Sequence, residues 1–478
     1  MFGGDSDFDT ICAISTPPGI GGLHLIRLSG SKSLSILRNS ALFLPELVES
    51  HRVYYGTLCW NEDSFDQIDE VLVSFFKHGN SFTGEEVIEI SCHGSPFISN
   101  RIIKALLRDG ARLAISGEFT YRAFMNGRID LVQAEGVLSL IESESLKSSE
   151  IALKQLKGGL SEKFRKLESE IVGLLARLEI SIDFTTEDIE IISHGDLKFR
   201  LSTIIESISK LLSSYKIGRK IQSGFDVIIL GEPNVGKSSL LNLILSQEKA
   251  IVTEVAGTTR DLIQDQIIIR GVNVNLTDTA GIRETIDIVE KIGVSKTRAA
   301  ATNADLILAV FDCFDPRFEI LLNELPADLS NIIFIGNKLD KIATDSIPIL
   351  LDKFHKVLLQ KNIFQNIHEI EIFLSKRCRL ISTFEMSSKD YLLNLIENNL
   401  NTGSFGDESF ISHARHFENL QRAFECFNRT SILADSFASP EFLALEVKEG
   451  LIRIQEILGD RFDDQILDRV FSEFCIGK

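Results

Sequence analysis

The stretch Gly231-Glu232-Pro233-Asn234-Val235-Gly236-Lys237-Ser238 decides the fold of the central part of the chain. It fits the pattern GxxxxGK followed by Ser or Thr, and it follows an apolar run at 227–230 that is typical of a buried strand. Its glycines let the backbone wrap around phosphates, and the following helix N-terminus adds partial positive charge. We therefore expect Lys237 to reach the β- and γ-phosphates of a nucleotide and the Ser238 hydroxyl to bind magnesium. The alternative is a glycine-rich turn between a strand and a helix.

Three further motifs follow along the chain. Asp278-Thr279-Ala280-Gly281 ends a predicted strand, where Asp278 can hold magnesium through water and Gly281 can donate an N–H to the γ-phosphate. In Asn337-Lys338-Leu339-Asp340, the last carboxylate can accept two hydrogen bonds from guanine that adenine cannot donate, while Asn337 and Lys338 brace the base and its loop. Ser387-Ser388-Lys389 is predicted to contact the guanine oxygen through backbone N–H groups. Together these motifs predict a protein that binds GTP.

The residue that orients the attacking water is not obvious from these motifs. Ile282 stands where many signalling GTPases carry a glutamine, and an isoleucine cannot orient water. The nearby acidic candidates are Glu284, Asp287 and Glu290. Arg260 and Arg283 are available as arginine fingers, but both also fit ordinary salt bridges. A monovalent cation is the alternative source of positive charge.

The first part of the chain is rich in short apolar strands. Runs at 11–14, 23–28, 53–59, 71–76 and 87–90 are separated by Gly, Pro and Asn, and a helix is predicted over 97–107. These elements predict a mixed α+β N-terminal domain over residues 1–125.

Helical periodicity follows and then returns at the C-terminus. An apolar stripe with helical spacing consists of Leu160, Phe164, Leu167, Ile171, Leu174 and Leu178. Similar stripes occur at 417–427 and 443–458, so we expect a discontinuous helical domain built from 126–220 and 399–478. Residues 221–398 alternate strand and helix, with strands at 225–230, 265–270, 272–277, 305–311, 331–335 and 380–385. The predicted fold class is multidomain α/β, with a P-loop (Ras-like) G domain inserted into the helical domain.

Composition limits the other classes of function. With 478 residues the chain is too long for one core, and 44% hydrophobic with 25% charged residues is typical of soluble proteins. No apolar run approaches the roughly 18 residues of a membrane span. Seven cysteines without a CxxC pair favour a reducing cytoplasmic compartment over a zinc site or disulfide framework. A net charge of −18 disfavours non-specific binding to nucleic acid.

Motifs along the whole chain resemble the tRNA modification GTPase family MnmE, also called TrmE. The segments that carry the resemblance are Gly257-Thr258-Thr259-Arg260-Asp261, Phe474-Cys475-Ile476-Gly477-Lys478, Thr16-Pro17-Pro18-Gly19, Phe82-Thr83-Gly84-Glu85, Gly117-Glu118-Phe119 and Asn126-Gly127-Arg128. The match extends from about residue 8 to the last residue. It implies a potassium-activated GTPase that acts when two G domains meet.

The resemblance also implies a substrate and partners. Members of the family act with the flavoprotein MnmG to add an aminomethyl or carboxymethylaminomethyl group at carbon 5 of the wobble uridine of certain tRNAs. The implied one-carbon source is a tetrahydrofolate derivative, 5-formyl- or 5,10-methylene-tetrahydrofolate, bound by the N-terminal domain. The implied assembly is a homodimer that forms a heterotetramer with MnmG. The N-terminal domain is the implied dimerisation domain.

Residue roles in the nucleotide site follow from the same motifs. The resemblance assigns potassium to Asn234, Thr253, Val255 and Thr258, and magnesium to Ser238 and Thr259. It assigns catalysis to Glu290 with Lys237 and Asp278, which answers the question that Ile282 raises. The other residues expected at GTP are Val235, Gly236, Ser239, Thr279, Ala280, Gly281, Asn337, Lys338, Asp340, Ser387, Ser388 and Lys389.

The N-terminal site is assigned in the same way. Arg27, Glu85, Arg128 and Lys478 match positions that contact the folate, and Cys475 is a candidate for a role in the C-terminal tail. Many members carry lysine where Arg128 stands, which keeps the charge but changes the geometry. The chain is also longer than usual between Asp340 and Ser387.

Two other functions stay open at this stage. One is a ribosome-assembly or signalling GTPase whose flanks recruit RNA, which predicts a basic appended domain that this acidic chain lacks. The other is a folate-dependent aminomethyl transferase with a regulatory G domain. The modified nucleosides of tRNA in a deletion strain discriminate among these functions.

Overall fold

The computed structural model of the protein describes residues 9–60, 66–183, 192–245, 264–278, 301–302, 304–326, 328–361, 364, 366–385, 387–400 and 410–478. Contacts divide the chain into two compact units. The first consists of Met1–Glu142, Ala152–Leu212 and Ala414–Lys478, and the second of Ser143–Ile151 and Ser213–His413. The predicted boundaries at residues 126, 221 and 399 stay predictions.

The first unit contains a six-stranded sheet with the order β3-β4-β5-β2-β1-β6. Its strands are β1 (Ile11–Ile14), β2 (Leu23–Ser29), β3 (Arg52–Cys59), β4 (Gln67–Phe76), β5 (Val87–His93) and β6 (Arg112–Leu113). The pairs are antiparallel except β1 with β6. Helices α1 (Ser33–Arg38) and α2 (Pro96–Arg108) add residues to the core formed with the buried sheet face. The predicted strands and the helix at 97–107 are confirmed.

Among the residues that the structure describes, the opposite face of this sheet is covered at the β1 end. Ile11 and Ala13 of β1 form a small buried cluster with Ala114 and with Phe119 of α3 (Glu118–Met125). At the β3 edge, large apolar side chains stay exposed, among them Val53 and Tyr55. This exposed part, which also includes Leu72 and Leu23, is called the open face below.

The helical part of the chain has the stripes that the sequence predicts. Its helices are α4 (Leu131–Ile141), α5 (Leu146–Leu156), α6 (Gly159–Asp183), α7 (His194–Ser223), α13 (Ala414–Asp435), α14 (Pro440–Leu458) and α15 (Asp464–Ser472). All six stripe residues of α6, from Leu160 to Leu178, are buried. Helix α14 packs between α6 and α13, so the two helical halves form one packed body as predicted.

The second unit is built on a sheet with the order β12-β11-β10-β7-β9-β8. Its strands are β7 (Phe225–Gly231), β8 (Gln264–Ile269), β9 (Val272–Asp278), β10 (Leu306–Asp312), β11 (Ile332–Asn337) and β12 (Cys378–Leu380). All pairs are parallel except β8 with β9. The helices are α8 (Lys237–Leu245), α9 (Phe318–Glu324), α10 (Ile347–Gln360), α11 (Ile367–Arg377) and α12 (Ser387–Asn399). Two buried clusters form on this sheet, which confirms the predicted α/β class.

One strand differs from its prediction. The sequence favours a strand over 380–385, whereas β12 spans Cys378–Leu380 and the chain then leaves the sheet. Strand β12 pairs with β11 over Cys378, Arg379 and Leu380. Separately, no helix in the described part of the chain is long and apolar enough to cross a membrane.

Candidate functional sites

A tight loop joins β7 to α8, and we call residues 231–237 the phosphate loop. Asn234 and Gly236 have positive φ angles of 65° and 97°, so the chain turns back on itself before α8 begins at Lys237. A Cβ atom on Gly236 would lie 2.2 Å from Nδ2 of Asn337. Only glycine fits this position, as the sequence predicts.

Lys237 lies over this loop. Its side chain is buried, and Nζ donates hydrogen bonds to the carbonyl oxygens of Gly231 at 3.0 Å and Glu232 at 2.9 Å. The ammonium therefore stands at the N-terminus of α8, where two sources of positive potential coincide. This placement fits a phosphate chain, and the exposed Ser238 and Ser239 follow on the first turn of α8.

The predicted base-binding motif is tied to the phosphate loop. Asn337 Nδ2 donates to the carbonyl of Val235 at 3.0 Å, and Lys338 Nζ donates to the carbonyl of Asn234 at 2.7 Å. Lys338 also forms an ion pair with Asp312 at 2.6 Å. Burial would raise the pKa of Asp312, but the hydrogen bonds from Lys338 and from the Phe314 backbone lower it. Asn337 and Lys338 are thus structural braces of the loop.

Asp340 is exposed at the edge of the same site. Its Oδ1 accepts a hydrogen bond from Ser382 Oγ at 2.7 Å, and Thr383 N donates to Asn337 Oδ1 at 3.3 Å. The backbone N–H of Leu339 donates to the carbonyl of Ile381 at 3.1 Å. The loop after β12 therefore lies against the base-binding motif.

The structure places Ser387-Ser388-Lys389 after this loop, and their predicted contact with the guanine oxygen stays a prediction. These residues begin α12, and Ser388 and Lys389 are buried there. Because β12 ends at Leu380, the loop that leaves the sheet edge begins at Ile381. The sequence reasoning did not single out Ser382 and Thr383, which contact the base-binding motif from this loop, and the earlier strand end is the signal that identifies them.

Several predicted residues lie outside the described part of the chain. They are Thr253, Val255, Thr258, Thr259, Thr279, Ala280, Gly281 and Glu290, together with Arg260, Ile282, Arg283, Glu284 and Asp287. Asp278 ends β9, and its side chain also lies outside what the structure describes. Their predicted roles stay predictions.

The N-terminal site starts on β2 with Arg27. Its guanidinium forms an ion pair with Glu89 at 2.6 Å and lies over the ring of Phe119, 5.7 Å from the centroid. Nη1 also donates to the carbonyl of Gly477 at 3.4 Å, and Ser15 Oγ donates to the same oxygen at 3.0 Å. The C-terminal tail is therefore held on the sheet face that carries Arg27, which brings Lys478 and the exposed Cys475 to this site.

Glu85 lies on the same face but belongs to an ionic network. It accepts hydrogen bonds from Ser29 Oγ at 2.6 Å and from Arg122 Nη1 at 3.1 Å. Arg122 also pairs with Asp9 at 2.6 Å and with Glu118 at 3.1 Å. Glu85 is therefore held in one orientation by buried partners, which suits a carboxylate that must present an acceptor.

Arg128 is the exception among the predicted folate residues. Arg128 is exposed, and the aliphatic part of its side chain lies beside Gly84. Its guanidinium has no hydrogen bond or ion pair within the described ranges. A cavity of about 400 Å³ opens beside it, lined in part by Asp130, Gln133 and Arg165. Because Glu89 neutralises Arg27, the exposed Arg128 offers a positive charge that suits an acidic ligand.

Comparison with known proteins matches the chain to two family models. Residues 10–128 match the model described as GTP-binding protein TrmE N-terminus, and residues 131–475 match the MnmE helical domain. A protein of Bdellovibrio bacteriovorus named tRNA modification GTPase MnmE is 47% identical over 480 residues, covering 100% of this chain and 99% of that protein. A protein of the same name from Cytophaga hutchinsonii is 39% identical, with 98% of each chain covered.

Proposed function

Because the chain belongs to the MnmE (TrmE) family of tRNA modification GTPases, we propose that it binds and hydrolyses GTP in the course of modifying tRNA. The observation that carries this proposal is the joined geometry of two motifs. Asn337 and Lys338 hold the phosphate loop through its carbonyls, and Asp340 stands beside them with its carboxylate exposed. A single ligand with a guanine at one end and phosphates at the other fits this arrangement.

The metal assignments form part of the proposal. Magnesium bound at Ser238 and Thr259 would offset the negative charge that develops on the phosphates. We assign potassium to Asn234, Thr253, Val255 and Thr258, since hydroxyl, amide and carbonyl oxygens suit a hard cation. Glu290 would orient the attacking water, and Lys237 and Asp278 would complete the catalytic set. The exposed Asn234 and Ser238 at the phosphate loop support the two ion sites.

The modification itself is proposed to take place at the wobble uridine of certain tRNAs. A tetrahydrofolate derivative would bind at Arg27, Glu85, Arg128 and Lys478 and supply the one-carbon unit. The docking of the tail beside Arg27 and the unneutralised charge of Arg128 support this assignment. A flavoprotein of the MnmG type would be the partner, in a heterotetramer with a homodimer of this chain. All seven cysteines are free thiols, which supports a location in the reducing cytoplasm.

Guanine selectivity is the first experiment. Purified protein should bind GTP far more tightly than ATP, and the Asp340→Asn variant should lose at least about a factor of ten of that preference, because it loses one carboxylate acceptor. Asp345→Asn is the matched control, an exposed aspartate in the following turn, and it should keep the preference. Hydrolysis should be faster in potassium than in sodium at equal ionic strength.

The nucleosides of tRNA are the second experiment. Mass spectrometry should show that a deletion strain loses the wobble-uridine modification and that the wild-type chain restores it. Unchanged modification would reject the tRNA role and favour an assembly or signalling GTPase. Equal affinity for guanine and adenine nucleotides would reject the nucleotide role itself.

A further inference from the structure

An exposed aromatic side chain lies on the loop that follows β12. Phe384 is 82% exposed, and it is the third residue of a four-residue turn in which Glu385 N donates to the carbonyl of Ser382 at 3.1 Å. Single exposed apolar side chains are common on protein surfaces, so exposure alone assigns no role to this ring. Its position beside the base-binding motif does.

The backbone of Phe384 is hydrogen-bonded to the base-binding motif through one side chain. Ser382 Oγ accepts a hydrogen bond from Phe384 N at 3.4 Å and donates one to Asp340 Oδ1 at 2.7 Å. One hydroxyl therefore joins the aromatic residue to the carboxylate that is proposed to bind the base. Thr383 N, one residue earlier, donates to Asn337 Oδ1 at 3.3 Å. The turn that carries the ring is thus fixed against the residues that are proposed to hold the nucleotide.

Further hydrogen bonds hold both sides of this turn. Ile381 N donates to the carbonyl of Gly336 at 2.7 Å, near the end of β11. Ser388 N donates to the carbonyl of Glu385 at 3.1 Å, where α12 begins. The turn is therefore tied to the sheet on one side and to a helix on the other. Because the backbone is already ordered, a ligand that packs on the ring loses little affinity to the ordering of the loop.

A purine base offers two different surfaces to this site. Its edge carries the N–H groups that are proposed to donate to Asp340, and these lie in the plane of the base. Its two faces gain from contact with an aromatic ring, and this stacking does not depend on the pattern of donors and acceptors along the edge. A carboxylate and a phenyl ring on adjoining loops can therefore recognise different parts of one base.

We propose that Phe384 stacks on the guanine base of the bound nucleotide and supplies affinity that does not depend on the identity of the purine. This proposal rests on the proposed GTP-dependent function and divides recognition of the base between two residues. Asp340 provides the preference for guanine, and Phe384 provides affinity for the face of the base. The stacking serves GTP and GDP equally, since both carry the same base.

The affinities of two diphosphates test this division. In the full-length protein, Phe384→Ala should weaken the binding of GDP by about 5- to 150-fold, the range expected for the loss of one stacked base. Inosine diphosphate lacks the exocyclic amine of guanine but keeps the two-ring base, so its affinity should fall by the same factor. Phe384→Trp should keep the affinity for both diphosphates, because indole also presents an aromatic face. Calorimetric titration measures each affinity.

Two further variants serve as controls. Ile372 is 47% exposed on α11, which ends where β12 begins, whereas Phe384 follows the other end of that strand. Ile372→Ala also removes an exposed apolar side chain, and it should bind both diphosphates like the wild type. Ser382→Ala should give the contrasting pattern. It releases Asp340, so it should weaken GDP more than inosine diphosphate.

Fluorescence tests whether the side chain at position 384 meets the base. Trp60 is the only tryptophan of the chain, so a protein with Trp60→Phe and Phe384→Trp carries a single indole, at the turn. Its emission should be quenched when GDP is added, because a stacked purine quenches an excited indole. A protein with Trp60→Phe and Ile372→Trp should show emission that GDP does not change.

The outcomes separate this proposal from the proposed function. If the wild type does not bind GDP, the proposed function is overturned. If the wild type binds GDP and Phe384→Ala binds it equally well, the stacking role is rejected and the nucleotide site stands. A loss for GDP that exceeds the loss for inosine diphosphate also rejects stacking, because Phe384 would then act through Asp340. Unchanged emission of the indole at position 384 on addition of GDP rejects it as well.

Discussion

Gly236 is a residue of the nucleotide site that does not accept a side chain without strain. Its φ of 97° is a backbone conformation that residues with a side chain rarely adopt. In addition, a Cβ at this position would lie 2.2 Å from Asn337 Nδ2, which is a steric clash. Gly236→Ala should impose strain of about 1–3 kcal/mol on the bound loop, which corresponds to about a 5- to 150-fold loss of GTP affinity. Calorimetric titration of the wild type and the variant with GTP measures this loss of affinity directly.

The control for that variant is Gly173→Ala in α6. A Cβ at Gly173 meets open space, and alanine favours helix over glycine by about 0.5–1 kcal/mol. This protein should therefore bind GTP like the wild type and unfold at a slightly higher temperature. Equal affinity of the Gly236→Ala and Gly173→Ala proteins would contradict the steric argument.

Ser382 is predicted to support guanine recognition by holding Asp340. Removing its hydroxyl should release the carboxylate, and hydrogen bonds to charged groups contribute about 1.5–3 kcal/mol. Ser382→Ala should thus weaken GTP binding by about tenfold or more, while Ser387→Ala in the first turn of α12 should leave it unchanged. The opposite ranking would support the prediction for 387–389.

The contrast between these residues shows what the sequence reveals. Gly236 and Lys237 were predictable because a phosphate chain demands a flexible loop and a cation at fixed spacing. Ser382 was not, since its role depends on where β12 ends, and a short run after a strand carries no comparable spacing rule. The neutralisation of Arg27 by Glu89 was equally hidden, because it joins neighbouring strands from distant parts of the chain.

Among the elements, helices were easier to predict than strand ends. The stripe of α6 is buried along its whole length because one face of a long helix packs on α14. The sequence predicts β12 too late in the chain, because the apolar and β-branched residues after Leu380 resemble a strand. Those residues instead turn toward the base-binding motif, which local propensity cannot indicate.

Helix α3 carries a pH-dependent group of the first unit, Glu118. Burial would raise the pKa of Glu118, but hydrogen bonds from Arg112 and the Ile115 backbone, with the charge of Arg122, hold it below 4.5. Because the folded pKa is lowered, the stabilisation is present above pH 4.5 and is lost as the pH falls through the folded pKa. Glu118→Gln should destabilise the protein at neutral pH by about 3–5 kcal/mol, since it breaks a buried pair.

Thermal unfolding at neutral and acidic pH checks this prediction. The difference in unfolding temperature between wild type and Glu118→Gln should shrink below pH 4.5. Glu162→Gln is the control, an exposed glutamate in the first turn of α6, and it should follow the wild type throughout. A constant difference at every pH would show that the loss is steric and not electrostatic.

At the scale of the whole molecule, the sequence predicts that the α/β domain is inserted into the helical domain. It does not predict which surfaces of the folded domains stay exposed. The discontinuous helical domain follows from periodicity in two distant segments, and the α/β class follows from alternation between them. That α5 belongs to both units required coordinates, since its own sequence is an ordinary amphipathic helix. The open face of the first sheet was likewise hidden, because alternation along a strand does not say which face stays uncovered.

The open face is where we expect the proposed homodimer to form. Val53, in the same row across the sheet as Ser74, Glu89 and Arg27, is 62% exposed. Val53→Glu would bury an unpaired charge in a dimer, at a cost of several kcal/mol. The dissociation constant of the dimer should therefore rise by at least about a hundredfold. Analytical ultracentrifugation should show the wild type as a dimer and this variant as a monomer.

The control carries the same charge to the opposite side of the sheet. Phe97 is 72% exposed and lies on α2, which packs on the other face of the sheet. The Phe97→Glu variant should therefore remain a dimer. Circular dichroism should show that both variants keep their helix and strand content. A dimer that survives Val53→Glu but not Phe97→Glu would place the interface on the helical side of the sheet. The proposed folate site would then lie away from the second subunit, because Arg27 shares its row with Val53.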